Sequence, residues 1–313
     1  MEKLEFEKEK AKLEQTINII KEILQDEKLD LKNLYNNFIG DREELWRIAD
    51  RKKLHISNLE VSQNNPYFAR IDFTSDDDGK ISTIYIGKNG VMKDTNIIVT
   101  DWRAPISSLY YDAEVGKCGY QAPSGRIDGE MSLKRQYEIE NGILQEYFDV
   151  NLVSNDGLLQ KYLNDNNDAR LKTIVSTIQK EQNDVIRKKM SDNIIVQGVA
   201  GSGKTTVALH RIAYLVYNYI NSIKQNQYLV IGPNPVFLKY IKSVLPELDV
   251  DGVEQCTYEM YAKKYIDEEI NINSSSEKVV ANISGKNKND IDKFKCSMKY
   301  KDMLDKFLIA YFY

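Results

Sequence analysis

Apolar residues over the first 62 positions recur at helical intervals. Phe6, Leu13, Ile17, Ile20 and Leu24 follow one another at seven, four, three and four residues, which sets them on one helix face. After a break at Phe38-Ile39-Gly40-Asp41 the period resumes through Leu45, Ile48, Lys52, Ile56 and Leu59. Charged side chains fill most of the remaining positions, and Gly and Pro are nearly absent. The pattern predicts two antiparallel helices over 1–62, a hairpin arm of coiled-coil type too thin for a core of its own. The alternative is an ordinary helical pair lying on the next domain.

From Asn64 the period shortens. Residues 67–74 and 81–87 read as strands around the turn Asp76-Asp77-Asp78-Gly79, and 96–100 as a third. Residues 131–138 and 143–148 flank Asn141-Gly142, a strong hairpin signal because both residues tolerate positive φ. Residues 63–150 therefore form a small, mostly antiparallel β region. At the end of one strand stands the cluster Asp101-Trp102-Arg103-Ala104-Pro105.

Beyond Asn151 helices and strands alternate. Residues 156–163 and 169–189 are helical in pattern, 194–197 a short apolar strand, and 204–219 a helix that is apolar most of the way round. Residues 228–231 read as a second buried strand closed by Gly232-Pro233-Asn234-Pro235, followed by a helix to Leu245 and a third strand at 253–257. Such alternation predicts an α/β domain with a parallel sheet over 151–270. Residues 271–313 hold a polar loop, with Ser274-Ser275-Ser276 and 285–289, and a last helix over 300–313 with an apolar tail.

Composition narrows the field. The 313 residues carry 43 Lys+Arg against 47 Asp+Glu, a net charge of -4, which argues against a generic basic nucleic-acid coat. Cys118, Cys256 and Cys296 lie far apart and His55 and His210 are the only histidines, so neither a zinc spacing nor a disulfide framework can be drawn. The charged start Met1-Glu2-Lys3-Leu4-Glu5 offers no signal-peptide core, and no apolar run approaches the ~20 residues that span a bilayer. A cytoplasmic location is the expectation, with no membrane partner.

One motif carries chemistry. Gly198-Val199-Ala200-Gly201-Ser202-Gly203-Lys204-Thr205 fits G-x-x-x-x-G-K-[ST] at every required position, and Thr206 follows. Glycines let such a loop wrap so that backbone N–H groups point at a phosphate, and the helix N-terminus adds partial positive charge. Lys204 can stabilise charge on the β- and γ-phosphates, and the Thr205 hydroxyl is placed to ligate Mg²⁺. ATP and Mg²⁺ are the expected cofactors. Upstream, Gln182 has an amide that matches the N6/N7 edge of adenine.

Gln182, the loop from Gly198 to Thr206 and the run Leu209-His210-Arg211-Ile212-Ala213-Tyr214-Leu215 resemble the first motifs of superfamily 1 helicases of the UvrD/Rep/PcrA kind. Tyr228-Leu229-Val230-Ile231-Gly232-Pro233-Asn234 and Gln255-Cys256-Thr257-Tyr258 are similar to the strand ends that follow. Tyr85-Ile86-Gly87, Asp101-Trp102-Arg103-Ala104-Pro105-Ile106, Gly129-Glu130 and Lys134-Arg135-Gln136-Tyr137 narrow this to the HelD-like family of RNA polymerase-recycling motors. The resemblance implies a P-loop NTPase fold, a RecA-like domain 1A with an incomplete parallel sheet, preceded by the arm and the β region. It implies that 1A binds ATP through Gln182, Gly201, Gly203, Lys204 and Thr205, and that the arm at 1–62 enters the secondary channel of RNA polymerase. Residues 286–303 resemble the start of an insertion within 1A. Acidic Asp26, Glu27 and Asp30, or Asp41, Glu43 and Glu44, either approach a catalytic Mg²⁺ there or form a solvated loop.

Other features bound the mechanism. Asp101 to Pro105 reads as a lock between the β region and 1A rather than as a catalyst, His210 as a packing residue, and Arg211 as half of a local ion pair, with a phosphate-sensing role as the other reading. A motor of this kind also needs an apolar strand ending in Asp-Glu and arginines from a second RecA-like domain. Asp267-Glu268-Glu269 follows a helical pattern and reads as a solvated face, and the pattern departs from the family at 309–313 in a way that suggests a shifted frame or a shortened chain. The expectation is therefore weak ATP binding, little turnover and an exposed sheet edge with poor solubility. Two other readings stand beside it: a helicase translocating on DNA, and a non-enzymatic polymerase-binding module.

Overall fold

The computed structural model describes residues 2–150, 176, 178–250, 252–266, 293–295 and 297–312. The chain divides into two compact units, one of Met1–Leu229 with Lys239–Glu254, the other of Val230–Leu238 with Gln255–Tyr313.

The first unit opens with the hairpin, α1 (Glu2–Asn37) and α2 (Arg42–Asn64), broken where the period fails at 38–41. Glu43 and Glu44 stand in the first turn of α2, where the helix dipole favours negative charge. Leu13, Ile17, Ile20 and Leu24 of α1 and Ile56 and Leu59 of α2 share one core with Tyr67, Tyr85, Tyr137 and Val99 of the β region. From Gln25 to Ile48 no residue is buried, so α1 runs on past its docked part for about 20 Å at 1.5 Å per residue. The two readings of the arm thus each describe one half: its base is a packed pair, and its tip projects.

Seven strands form one mixed sheet: β1 (Ala69–Ser75), β2 (Ile81–Gly87), β3 (Val91–Lys93), β4 (Asn96–Asp101), β5 (Gly116–Ala122), β6 (Gly125–Glu140) and β7 (Ile143–Asp149). Their order is β3-β4-β2-β1-β6-β5, with β7 also on β6. In this sheet β2 and β4 pair in parallel, and the pairs β1–β2, β1–β6, β3–β4, β5–β6 and β6–β7 are antiparallel. The long β6 lies along β1 with one edge, while its other edge holds β5 and then β7. Asn141 and Gly142 sit at φ 51° and 77°, as the two central residues of a tight hairpin turn require.

The sequence pattern misses β3, β5 and the first part of β6. Gly116, Gly119, Gly125 and Gly129 lower strand propensity there. At Gly129 the glycine is a packing demand: a Cβ would lie 2.2 Å from the Thr74 carbonyl oxygen of the neighbouring strand.

A charged cluster ties α1 to this sheet. Glu9, 3% exposed, accepts from Arg70 Nη1 at 2.7 Å and Arg135 Nη1 at 2.9 Å, and from the Tyr137 hydroxyl at 2.8 Å. Arg135 also forms a two-pronged pair with Asp149, at 2.6 and 2.9 Å. A carboxylate so buried persists because each oxygen is met by donors.

Past the sheet, the pattern at 156–163 and the start of that at 169–189 lie outside the described residues; the described part forms the helix Lys180–Arg187. The helices Lys204–Asn218 and Pro235–Val244 form as read. A two-stranded sheet joins β8 (Leu229–Gly232) to β9 (Glu254–Thr257). Two expectations for the α/β part are corrected. Residues 194–197 join no sheet among the described residues, and Ile195 is 97% exposed. The second strand forms as β8 but is not buried, with Leu229 at 39% and Ile231 at 49% exposure. An apolar run becomes a buried strand only where a ladder partner and covering helices are supplied, and none lies beside 194–197 among the described residues.

In the second unit Thr257 caps the helix Tyr258–Tyr265 by accepting from Met260 N at 3.2 Å. The helix Met298–Phe312 forms as expected, and its apolar side chains Phe307, Leu308 and Ile309 are exposed. Asp267-Glu268-Glu269, Ser274-Ser275-Ser276 and, of 286–303, residues 286–292 and 296 lie outside the described residues.

Glu9→Ala leaves the buried Arg135 and the half-buried Arg70 without a shared partner and is expected to lower the unfolding free energy by about 3–5 kcal/mol. Glu9→Gln, which keeps acceptor geometry, should cost less. Urea titration followed by circular dichroism measures both; a loss below about 1 kcal/mol for Glu9→Ala would mean that the cluster does not hold the arm.

Candidate functional site

The glycine-rich loop folds back on itself ahead of the helix Lys204–Asn218. Gly201 and Gly203 adopt φ of 83° and 78°, a left-handed backbone that side chains with a Cβ rarely take. Ser202 N donates to Val199 O at 3.3 Å, and a Cβ on Gly198 would lie 2.6 Å from Ser202 Oγ. Val207 N begins the helical ladder by donating to Gly203 O at 2.8 Å. The N–H groups of the first turn precede that ladder, so this end of the helix carries partial positive charge.

Lys204 closes the loop. Its Nζ donates to Gly198 O at 2.9 Å and Val199 O at 2.6 Å. Val199, Ala200, Gly201 and Ser202 are exposed, while Thr205 and Thr206 are half-buried at the helix start. Gln182, on the helix Lys180–Arg187, comes to the same place: its Nε2 would be 3.2 Å from a Cβ built on Gly203. Its Oε1 accepts from Gln179 N at 3.2 Å. The chain thus gathers a backbone nest, an ammonium, a hydroxyl and an amide around Gly203, a set suited to an anionic oxygen group with a hard cation at Thr205. Among the described residues no three His, Cys, Asp or Glu side chains cluster in a way that could hold a metal by themselves.

Behind the loop lies a buried joint built on Asp101–Pro105. Asp101 ends β4, and its Oδ1 accepts from both Arg103 N and Arg103 Nε at 2.8 Å. Arg103 Nη2 meets Asp101 Oδ2 at 2.7 Å and Asp249 Oδ2 at 2.9 Å, while Nη1 donates to Leu248 O at 3.1 Å. Burial opposes the charge of Arg103, but Asp101 and Asp249 outweigh it and hold the pKa above its ordinary value.

Two helices grip this turn by its carbonyls. Arg187, one turn past Gln182, donates to Trp102 O at 2.5 Å and Ala104 O at 3.1 Å. Asn218, at the far end of the helix that starts at Lys204, donates to Arg103 O at 3.2 Å. The lock reading of Asp101–Pro105 describes these contacts.

His210 packs as expected. It is 2% exposed, lies edge-on to Trp102 with ring centroids 5.6 Å apart, and its Nδ1 is 2.8 Å from Thr206 O. Its Nε2 is buried without a partner among the described residues. Burial lowers its pKa, so the ring is neutral near pH 7.

Among the described residues Arg211 forms no close ion pair, against expectation. It donates instead to four carbonyls, Val185, Ile186, Lys188 and Lys189, at 2.8 to 3.1 Å. The end of the helix Lys180–Arg187 leaves carbonyls without intrahelical donors, and a guanidinium can meet several at once. Arg187, Asn218 and Asp249 escape a reading of the sequence. Arg187 meets Trp102 across 85 residues, and a basic residue at a helix end ordinarily signifies only the dipole.

A family model described as DNA helicase IV HelD, N-terminal domain, matches residues 5–194, more than half of the chain. The matched span includes the arm, the sheet and Gln182 and stops short of Gly198. No curated protein matches the chain. No helix among the described residues is long and apolar enough to cross a membrane.

His210 makes stability depend on pH. Its folded pKa lies below the ordinary 6.5, so unfolded chains take up a proton that the folded protein refuses. Stability should therefore be full above about pH 7 and fall as the pH drops through about 6.5 toward the lower folded pKa. Denaturant midpoints at about pH 7.5 and pH 5.5 should show a smaller difference in His210→Phe than in the wild type; equal differences would remove this role.

Proposed function

The chain belongs to the HelD family through its N-terminal domain, and on that premise we propose that it is the nucleotide-binding, polymerase-directed part of a HelD-like superfamily 1 ATPase. The observation that carries the reading is the convergence at Gly203: left-handed glycines at 201 and 203, Lys204 opening a helix of 15 residues, and Gln182 beside them. A RecA-like P-loop domain is the fold that this arrangement supports.

The loop's N–H groups and the helix N-terminus would receive the phosphates of ATP. Lys204 would exchange the carbonyls of Gly198 and Val199 for phosphate oxygens, gaining an anionic partner in place of two neutral ones. Thr205 would supply a hydroxyl to Mg²⁺, and that ion when bound neutralises charge between the phosphates. Reading adenine takes both ends of an amide, so Gln182 Oε1 would have to trade the Gln179 N–H for the amino group of the base.

The arm supplies the second half of the proposal, RNA polymerase as partner. Its free part from 25 to 48 presents exposed Leu29, Tyr35, Ile39 and Trp46 among six acidic and four basic residues, an apolar tip of mixed charge. In the full motor, ATP hydrolysis would remodel or release the polymerase. Another reading, a binding module whose loop serves only the fold, draws on the two bonds by which Lys204 satisfies its own loop.

Titration with a fluorescent ATP analogue and Mg²⁺ tests the loop. Lys204→Ala is expected to weaken binding by about 10- to 150-fold, the worth of hydrogen bonds to a charged group; unchanged affinity would sink the assignment. Gln182→Ala should lower the preference for ATP over GTP. Co-elution with core polymerase that persists without the tip residues would overturn the arm's role, and co-elution indifferent to nucleotide would favour the binding module.

A further inference from the structure

We propose that Asp249 is a latch that couples the nucleotide loop to the arm, a deepening that rests on the nucleotide reading of that loop. Asp249 follows the short turn Leu245–Leu248 and holds φ 59° and ψ 34°, a left-handed backbone that is uncommon outside glycine and concentrates at functional positions. Its carboxylate faces two ways. Oδ1 accepts from Asn58 Nδ2 of α2 at 2.6 Å, and Oδ2 accepts from Arg103 Nη2 at 2.9 Å.

Everything on the Arg103 side leads to the loop. The carbonyls of Trp102 and Ala104 hold Arg187, whose helix carries Gln182. The carbonyl of Arg103 holds Asn218, and Trp102 lies on His210, both on the helix that Lys204 begins. The turn 102–104 is therefore fastened to both helices that converge on Gly203. Asp249 is the next contact outward, and α2 the next after that.

Coupling needs an element with two arrangements and room to change between them. Lys204 supplies the first requirement, because it cannot bond its own loop carbonyls and a phosphate with the same protons. A cavity of about 330 Å³ supplies the second; Asn58, Asn89, Arg103, Tyr217 and Asp249 line it, so the latch can part without repacking a filled core. Asn89, 8% exposed, reaches Asn58 O and Ser62 Oγ only at 3.4 Å, and its Oδ1 has no partner among the described residues. Beside the packing of Leu59, the Asn58–Asp249 bond is the short hydrogen bond on this face of α2. A ligand that shifts the two loop helices changes the hold on Asp249, and by linkage a pull on α2 changes the affinity of the loop.

Hydrogen exchange of the whole chain, with and without the fluorescent ATP analogue and Mg²⁺, tests the latch. In the wild type, saturating nucleotide is expected to change exchange over 54–64 by about fivefold or more. Asn58→Ala should still bind nucleotide while that change disappears, with exchange in β1 and β6 unaltered as the check on folding. Asn58→Asp, which sets a like charge against Asp249 without shortening the side chain, should lose it as well. If nucleotide binds and α2 does not respond, or if both variants respond as the wild type does, the latch is wrong. If the wild type binds no nucleotide, the loop reading itself falls and takes the latch with it.

Discussion

The buried ion pair of Asp101 and Arg103 is the constraint on which the first unit depends. The two side chains are 4% and 7% exposed, and a guanidinium so placed cannot survive without acceptors on every side. Asp101 supplies two, but the planar fork of Arg103 has more protons to place, and it draws in Leu248 O and Asp249 as well. The short separation of the pair bends the chain at the end of β4, and the carbonyls turned outward by that bend become acceptors for Arg187 and Asn218. One local charge pair thus joins the sheet, the helix of Gln182 and the helix of Lys204 through a single turn. Replacing either partner alone would leave the other charged and buried, which is costlier than never having had the pair.

The arm is held by the same physics at a different point. Glu9 brings Arg70, Arg135 and the Tyr137 hydroxyl onto α1, and the apolar stripe from Leu13 to Leu24 continues the contact. That stripe sets where the hairpin stops being part of the core. Beyond it the helices have no buried residue to Ile48, so the tip can carry exposed Trp46 and Ile39 without cost to the body. The base is rigid because charges and apolar groups are both satisfied there. The function proposed for the chain uses this division: a fixed body with a nucleotide loop, and a free tip for a protein partner.

The loop itself shows how a site can be legible while its surroundings are not. Glycines at 201 and 203, a lysine at the helix start and the nearby Gln182 follow from spacing, because each type has one local job that few other residues can do. The strand expected at 194–197 follows from the same kind of reading and fails: Ile195 and Val196 are apolar, yet no neighbour pairs with them among the described residues. A glycine in a turn answers to its own φ, whereas a strand answers to a partner that its own residues do not name.

The same distinction separates the two sources of information for the whole molecule. The sequence by itself determined the helical period of the hairpin and its break at 38–41, the tight turn at Asn141-Gly142, and the loop before Lys204. All of these are set by interactions within a few residues. Only the tertiary structure decided that half the arm is docked, that Arg211 caps a helix rather than pairing with an acid, and that Asn58 and Asp249 meet across 191 residues. Those outcomes depend on which buried donors find which acceptors after the chain has closed. Burial makes such pairings obligatory, and local pattern leaves the choice of partner open.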